Sequence, residues 1–521
     1  MKRIFGNISF RAIVLVILIL LNSFVICIAL ADDSNAYWWL LLLAPLLILA
    51  IHDIRQKQHA IIRNYPLVGH LRYLSEAIRP ELRQYFFESD LDGRPFNRRQ
   101  RSIVYQRAKN EKQTVAFGMQ ANPGTPGYEW VAHSIYPAAI QEKDLRVWVG
   151  NYQCMQPYNA SVYNIGAMSY GALSKTAIAS LNEGAMIGNF AHNTGEGGIS
   201  EHHLKGGDLI WQIGTGYFGC RNEKGRFSSL AFRKNALRPQ VKMIELKLSQ
   251  GAKPGHGGLL PASKNTPEIA AIRLVMPGTT VHSPSGHSEF DTPEGLIKFL
   301  QHLRELSDGK PVGFKICIGD KQEFEGICNA MASTGIIPDF ISVDGAEGGT
   351  GAAPLEFTDH LGMPLYDALA FVKQTLDSYN LSAHIKIFAA GKIITGFDIL
   401  KAMSLGASSC YSARGMMMAL GCIQALICDS GKCPVGVATQ NPSLYNGLHP
   451  ADKKVRVANF HAKTIEATRE IMEACGFASV EQIHPSKFYR RINEQETQSF
   501  EQIYFPRRRN RLENQIQSFL N

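Results

Sequence analysis

His384-Ile385-Lys386-Ile387-Phe388-Ala389-Ala390-Gly391-Lys392 reads as a short hydrophobic strand that ends on a glycine and a cation. The run at 408–415 has the same form and closes on Ser412-Ala413-Arg414-Gly415. Such an ending suits a binding rim better than a packed core. Working outward, the runs at 162–168, 188–194, 241–248, 278–284, 311–317 and 340–346 repeat the pattern and alternate with helical segments. Eight such units predict an α/β fold, a (β/α)8 TIM barrel. In that fold the carboxyl ends of the strands form the active face. Here those ends collect Met168-Ser169, Asn193-Thr194, residues 247–258 and 282–287, Lys315, Asp344-Gly345, Gly391-Lys392 and Ser412-Ala413-Arg414. The last two loops suit a phosphate, with backbone amides for its oxygens and Lys392 and Arg414 for its charge. Taken alone, they call only for a phosphate-bearing ligand. Plain turn glycines are the competing reading, but turns do not require lysines at the ends of hydrophobic strands.

The chain has 521 residues, 45% of them hydrophobic, enough for a large barrel and its flanking segments. The net charge of +9 is local, crowding residues 94–112 and 507–511. Without interleaved aromatics these are solvated or membrane-surface patches, and no nucleic-acid partner is expected. Residues 12–31 are apolar apart from Asn22, Ser23 and Cys27, long enough for a membrane helix. A shorter run, 37–51, opens with Trp38 and Trp39 and contains Pro45. Lys2, Arg3 and Arg11 precede the first run, Arg55, Lys57 and Arg63 follow the second, and Asp32 and Asp33 lie between them. That asymmetry predicts a transmembrane hairpin in the inner (cytoplasmic) membrane, with the barrel facing the cytoplasm. The alternative is a cleaved signal peptide ending near Ala29-Leu30-Ala31. The expected organisation is a membrane anchor at 1–55, a helical collar at 56–150, the barrel at 151–445 and a helical extension at 446–521. His70, in the collar, is read as structural.

Ten cysteines are too few for a disulfide scaffold in a chain this long. Cys422, Cys428 and Cys433 share one short loop, followed at once by Pro434. Three thiolates so close suit an iron–sulfur cluster with a vacant corner. Buried free cysteines, or a zinc site completed by a fourth ligand, are the alternatives.

The motifs at 166–174, 193–198, 250–255, 348–352 and 420–440, in that order, resemble the FMN and iron–sulfur domain of glutamate synthase. The resemblance covers residues 150–445. It implies an FMN lined by Met168, Ser169, Gln250, Lys315, Asp344, Gly345, Gly391, Lys392, Ala413 and Arg414, with Lys315 at the N1–C2=O edge. It further implies a [3Fe-4S] cluster on Cys422, Cys428 and Cys433. The implied reaction is reduction of an imine, formed from a 2-oxo acid and ammonia, to an amino acid. Lys247, Lys253 and Arg273 would hold carboxylates and move protons, and electrons would come from ferredoxin or another electron-transfer protein.

The pattern also departs from that family. No amidotransferase domain is expected, so nitrogen would come from ammonia or a separate amidotransferase, and the family's C-terminal β-helix is not expected either. Leu259 and Thr176 stand where the family has Gln and Glu, which implies an altered 2-oxo acid. Two other functions fit the same scaffold. One is an FMN dehydrogenase of amino acids or N-alkyl amino acids that passes electrons to a membrane acceptor. The other is a non-catalytic electron-transfer subunit, against which the retained lysines weigh.

Overall fold

The computed structural model describes residues 9–31, 34–111 and 113–506. Lys2, Arg3, Asp32, Asp33 and the basic run 507–511 lie outside the described residues. The chain forms two compact units, Met1–Arg99 and Gln100–Asn521.

In the first unit, α1 (Phe10–Ala31) and α2 (Tyr37–Arg55) are long and apolar enough to cross a membrane. At 1.5 Å per residue they span about 33 and about 28 Å. Asn22 joins the pair: its Nδ2 donates to the Leu43 carbonyl at 3.1 Å and to the Leu18 carbonyl at 2.8 Å. A side-chain amide used this way holds apolar helices together without exposing a polar group to lipid. Pro45 sits inside α2 without ending it. A third helix, α3 (Gly69–Leu82), follows. Asp53, in the last turn of α2, is fully buried. It accepts from the Leu67 amide at 2.9 Å and lies 2.9 Å from His70 Nε2, so His70 has the structural partner expected of it.

The second unit is built on a closed barrel of eight parallel strands. These are β1 (Tyr163–Ile165), β2 (His192–Asn193), β3 (Leu209–Ile213), β4 (Val241–Lys247), β5 (Val312–Ile316), β6 (Phe340–Asp344), β7 (Lys386–Ala390) and β8 (Ser409–Ser412). Each pairs with its sequence neighbour. β8 closes on β1, with Cys410 opposite Tyr163. The barrel is as expected, but one strand is not. Residues 278–284 are not the fourth strand. Only Val281–His282 is extended there, paired antiparallel with Leu259–Leu260 in a hairpin outside the barrel. The missing strand is β3, whose five residues are all buried. The β-branched Thr279-Thr280-Val281 mimics a strand in composition, whereas a strand of this barrel must be covered on both faces.

A short hairpin, Arg146–Val149 with Tyr158–Ser161, plugs the barrel. Val149 and Ala160 pack with Ala191, Ile210, Met243, Phe340, Phe388 and Tyr411 into one core cluster. Each large side chain buried this way contributes about 1.5–3 kcal/mol. Outside the barrel lie α4 (Lys175–Gly188), α5 (Pro267–Arg273), α6 (Arg414–Leu420) and α7 (Pro450–Ala474). The Ser174 hydroxyl caps α4 by accepting from the Ala177 amide at 3.2 Å. Gly184 lets α7 approach α4, since a Cβ there would fall 2.7 Å from the Val457 side chain.

Candidate active site

Hydrophobic strands deliver charged residues to one rim. Lys247 ends β4, Lys315 lies one residue from the end of β5, and Asp344 ends β6. Lys315 Nζ lies 3.1 Å from Asp344 Oδ2, which also accepts the Gly251 amide at 3.1 Å. Burial opposes the lysine's charge, but Asp344 and then Glu245 outweigh it, so the Lys315 pKa is raised. Arg414 donates to the Glu347 carbonyl at 2.6 Å. Lys392 lies close enough to the Glu347 carboxyl to act on it electrostatically, although burial keeps that carboxyl above its usual range. Lys392 itself turns left-handed, with φ 56°. Gly391, Lys392, Ala413 and Arg414 are all half-buried. The loops after β7 and β8 thus leave main chain and two cations partly open, a fit for a phosphate.

Below that rim, the buried Glu245 carboxylate accepts from Asn193 Nδ2 at 2.8 Å, Gln212 Nε2 at 2.7 Å, Ser342 Oγ at 2.5 Å and Tyr411 OH at 3.3 Å.

The second part of the site is a cleft of about 290 Å³, including its open mouth, lined among others by Glu196, Lys247, Gln250 and the glycines at 255, 257 and 258. Glu196 Oε1 lies 2.9 Å from Lys247 Nζ. Burial would raise the Glu196 pKa, but Lys247, Arg273 and Lys253 together hold it below the usual carboxylate range. Lys253 is itself lowered by burial and by the like charge of Lys247, with Glu196 opposing. Arg273 is the last residue of α5, a helix capped by Thr266 and started by Pro267. Its Nη2 donates to the Tyr170 carbonyl at 2.9 Å, and its guanidinium sits 5.0 Å from the centre of the Phe218 ring. Among the described residues, its buried Nε has no hydrogen-bond partner. Burial lowers its pKa to about 10, against the pull of Glu196. Gly197 makes this packing possible, because a Cβ there would come within 3.0 Å of both Ser169 and Arg273.

Three polar residues in or near the site were not singled out from the sequence. Glu196 sits inside a quoted glycine motif but was given no role. His287 Nε2 lies 2.9 Å from the Lys247 carbonyl, so it carries the proton, and Nδ1 accepts from the Tyr217 hydroxyl at 2.9 Å. Burial lowers the His287 pKa and favours that neutral form. Glu245 was hidden in the middle of a strand read for the lysine at its end. Leu259 pairs with His282 in the outer hairpin, and the Thr176 hydroxyl donates to the Tyr445 carbonyl at 3.2 Å.

Cys422, Cys428 and Cys433 lie on one loop after α6, near enough that Cys428 and Cys433 both act on Cys422. Burial and then that proximity push the Cys422 thiol up to about 11. Gln424 and Leu426 turn the loop left-handed, with φ 59° and 58°. The Lys264 ammonium donates to the Cys428 carbonyl at 2.6 Å. The chain after the loop is tied to the motif after β1, since Ser174 Oγ donates to the Gly436 carbonyl at 2.7 Å and Gln440 Nε2 to the Leu173 carbonyl at 2.8 Å. Three soft donors gathered on one folded-back loop fit an iron–sulfur cluster in their chemistry. Among the described residues, no three His, Cys, Asp or Glu side chains are already drawn into a metal-holding group.

Comparison with known proteins agrees with this geometry. Residues 147–478 match the family described as a conserved region in glutamate synthase. A glutamate synthase large subunit-like protein of Bacillus subtilis is 37% identical over 489 residues, covering 85% of this chain and 92% of that protein. The archaeal glutamate synthase [NADPH] of Methanocaldococcus jannaschii is 36% identical over 329 residues, which is 62% of this chain and 60% of that protein. Among solved structures, a mandelate oxidase variant with an FMN adduct covers 82% of this chain and 99% of its own, at 15% identity and a TM-score of 0.41. On the family match and the long Bacillus alignment, this chain belongs to the glutamate synthase family of oxidoreductases.

Proposed function

We propose that the chain is an FMN-dependent oxidoreductase that reduces the imine of a 2-oxo acid and ammonia to an amino acid. The observation that carries this reading is the convergence of Lys247, Lys253 and Arg273 on the single carboxylate of Glu196. Three cations around one anion leave a positive surplus, which favours a substrate with carboxylates of its own. Membership of the family supports FMN as the cofactor. Met168, Ser169, Gln250, Lys315, Asp344, Gly345, Gly391, Lys392, Ala413 and Arg414 would hold it, and Cys422, Cys428 and Cys433 would hold a [3Fe-4S] cluster. When bound, the flavin would supply the hydride, and the cluster would supply electrons one at a time from ferredoxin or a similar protein.

The chain's own residues account for the rest. Arg273 adds its charge beside Glu196, to the benefit of a substrate carboxylate. Lys247, held by Glu196, keeps the cleft positive. Lys253, its pKa lowered by burial and by Lys247, is the group proposed to give the proton. The test is anaerobic titration of the chemically reduced protein. A 2-oxo acid with ammonium should restore the oxidised flavin spectrum. If amino acids bleach the oxidised flavin and no 2-oxo acid with ammonium restores it, the dehydrogenase reading replaces this one.

Arg273→Met is expected to weaken 2-oxo acid binding by about one to two orders of magnitude, the worth of one lost hydrogen bond to a charged group. Unchanged affinity in the same titration would remove Arg273 from the site. Cys428→Ser is expected to lose its iron while keeping its flavin, read by metal analysis and by release of the flavin. Full iron content would rule out the cluster assignment.

The same reading puts α1 and α2 in the cytoplasmic membrane, with the barrel in the cytoplasm. Support comes from Arg11 in the first turn of α1, from Arg55 at the end of α2, and from Lys57 and Arg63 beyond it. Reporters fused after Arg63 and at the C-terminus should behave as cytoplasmic, and an external reporter signal would refute this orientation.

A further inference from the structure

We propose that α3 and the turn continuing it lie on the membrane surface as an interfacial helix, with an apolar stripe at the acyl boundary and a row of arginines at lipid phosphates. The proposal rests on reading α1 and α2 as membrane-spanning.

Leu71, Leu74, Ile78 and Leu82 are spaced by three, four and four residues and so share one face of the helix. They are 62, 58, 45 and 39% exposed. The next turn, Arg83–Phe87, extends the face with Tyr85 and Phe86, at 51 and 76%. An apolar stripe of this length left open marks a partner surface. Beside it, Arg72, Arg79 and Arg83 form a second row, about 100° around the helix from the stripe. Arginines flanking an apolar face lay their stems along it and carry their charge to headgroups. Arg72 meets Glu76 at 3.0 Å, an exposed pair weak enough to exchange for phosphate, and the exposed Arg83 meets the more buried Glu88 at 3.4 Å.

Two further observations select lipid as the occupant. Asp53 clamps the start of α3 to the end of α2 through the Leu67 amide and His70, so the stripe begins where the membrane-capable helix ends. From Arg55 to Arg83 the chain carries six Lys or Arg against two Glu, complementary to an anionic leaflet.

The test places a photoreactive phenylalanine at Leu74, Ile78, Ala77, Gln84 or, inside α1, Leu20. The full chain is put into vesicles of phosphatidylcholine, alone or mixed with phosphatidylglycerol. Lipid adducts at Leu74 and Ile78 should exceed those at Ala77 and Gln84 several-fold and should rise with phosphatidylglycerol. That rise should vanish in Arg72→Gln/Arg79→Gln/Arg83→Gln. A rise that survives the triple substitution overturns the arginine row. If Leu20 labels lipid while Leu74 and Ile78 label only protein, or no more lipid than Ala77, the surface helix is overturned and the spanning reading stands. No lipid adduct at Leu20 overturns the spanning reading and the proposal with it.

Discussion

Lys253→Met is expected to lower kcat by about two to four orders of magnitude, the usual contribution of a positioned proton donor. Lys253 is almost fully buried, and burial together with Lys247 lowers its pKa from the ordinary lysine value. A proton donor works while it is protonated. Activity that depends on Lys253 is therefore present below its pKa and lost as pH rises through it, with the limb displaced below the ordinary lysine range. In Lys253→Met that limb should disappear while KM changes little, since in the proposed reading Arg273 and Lys247 hold the carboxylates. A variant that keeps kcat and the alkaline limb would assign the proton to another group, with Lys247 the next to test. A rise in KM with kcat intact would make Lys253 a binding residue.

Glu245→Ala is expected to produce the largest loss of stability among single changes in the barrel, at least about 4 kcal/mol. Its two oxygens satisfy four buried donors, from Asn193, Gln212, Ser342 and Tyr411. Each buried donor left without a partner costs about 1–3 kcal/mol, before the cavity is counted. Glu245→Gln should lose less, because one oxygen still accepts while the new amide N–H groups face existing donors. Chemical unfolding followed by circular dichroism reads both. If Glu245→Ala stays within about 1 kcal/mol of the parent, the four donors have found other acceptors. Because Glu245 also helps keep Lys315 charged, the Gln variant is expected to lower the Lys315 pKa as well.

The barrel was legible in the sequence because charge at the end of a hydrophobic run is rare unless the run ends at a site. Lys247, Lys315, Asp344 and Arg414 all stood out in that way, and the structure brings them to one rim. The missed strand, β3, carries no such terminal signal. Its apolar run ends at Gly214, and a β-branched stretch further along took its place in the reading. Glu196 stayed hidden for a different reason. Its meaning lies in Lys247 and Arg273, which are distant in sequence, while locally it is one carboxylate among glycines. Leu259 pairs with His282 in the outer hairpin and the Thr176 hydroxyl reaches the distant Tyr445 carbonyl, contacts that a position in a loop or at a helix start does not disclose in the sequence.

The long excursion between β4 and β5, residues 248–311, carries Gln250, Lys253 and Arg273 on one uninterrupted piece of chain. Lys315, Asp344, Lys392 and Arg414 are all carried elsewhere. The protein can therefore be cut and rejoined at two points, both at ends of paired strands. Grafting another relative's excursion between β4 and β5 would exchange most of the substrate cradle in one operation. Under the proposed reading, chimeras made this way would differ in the acid they accept while keeping Lys315, Asp344, Lys392, Arg414 and one folded frame.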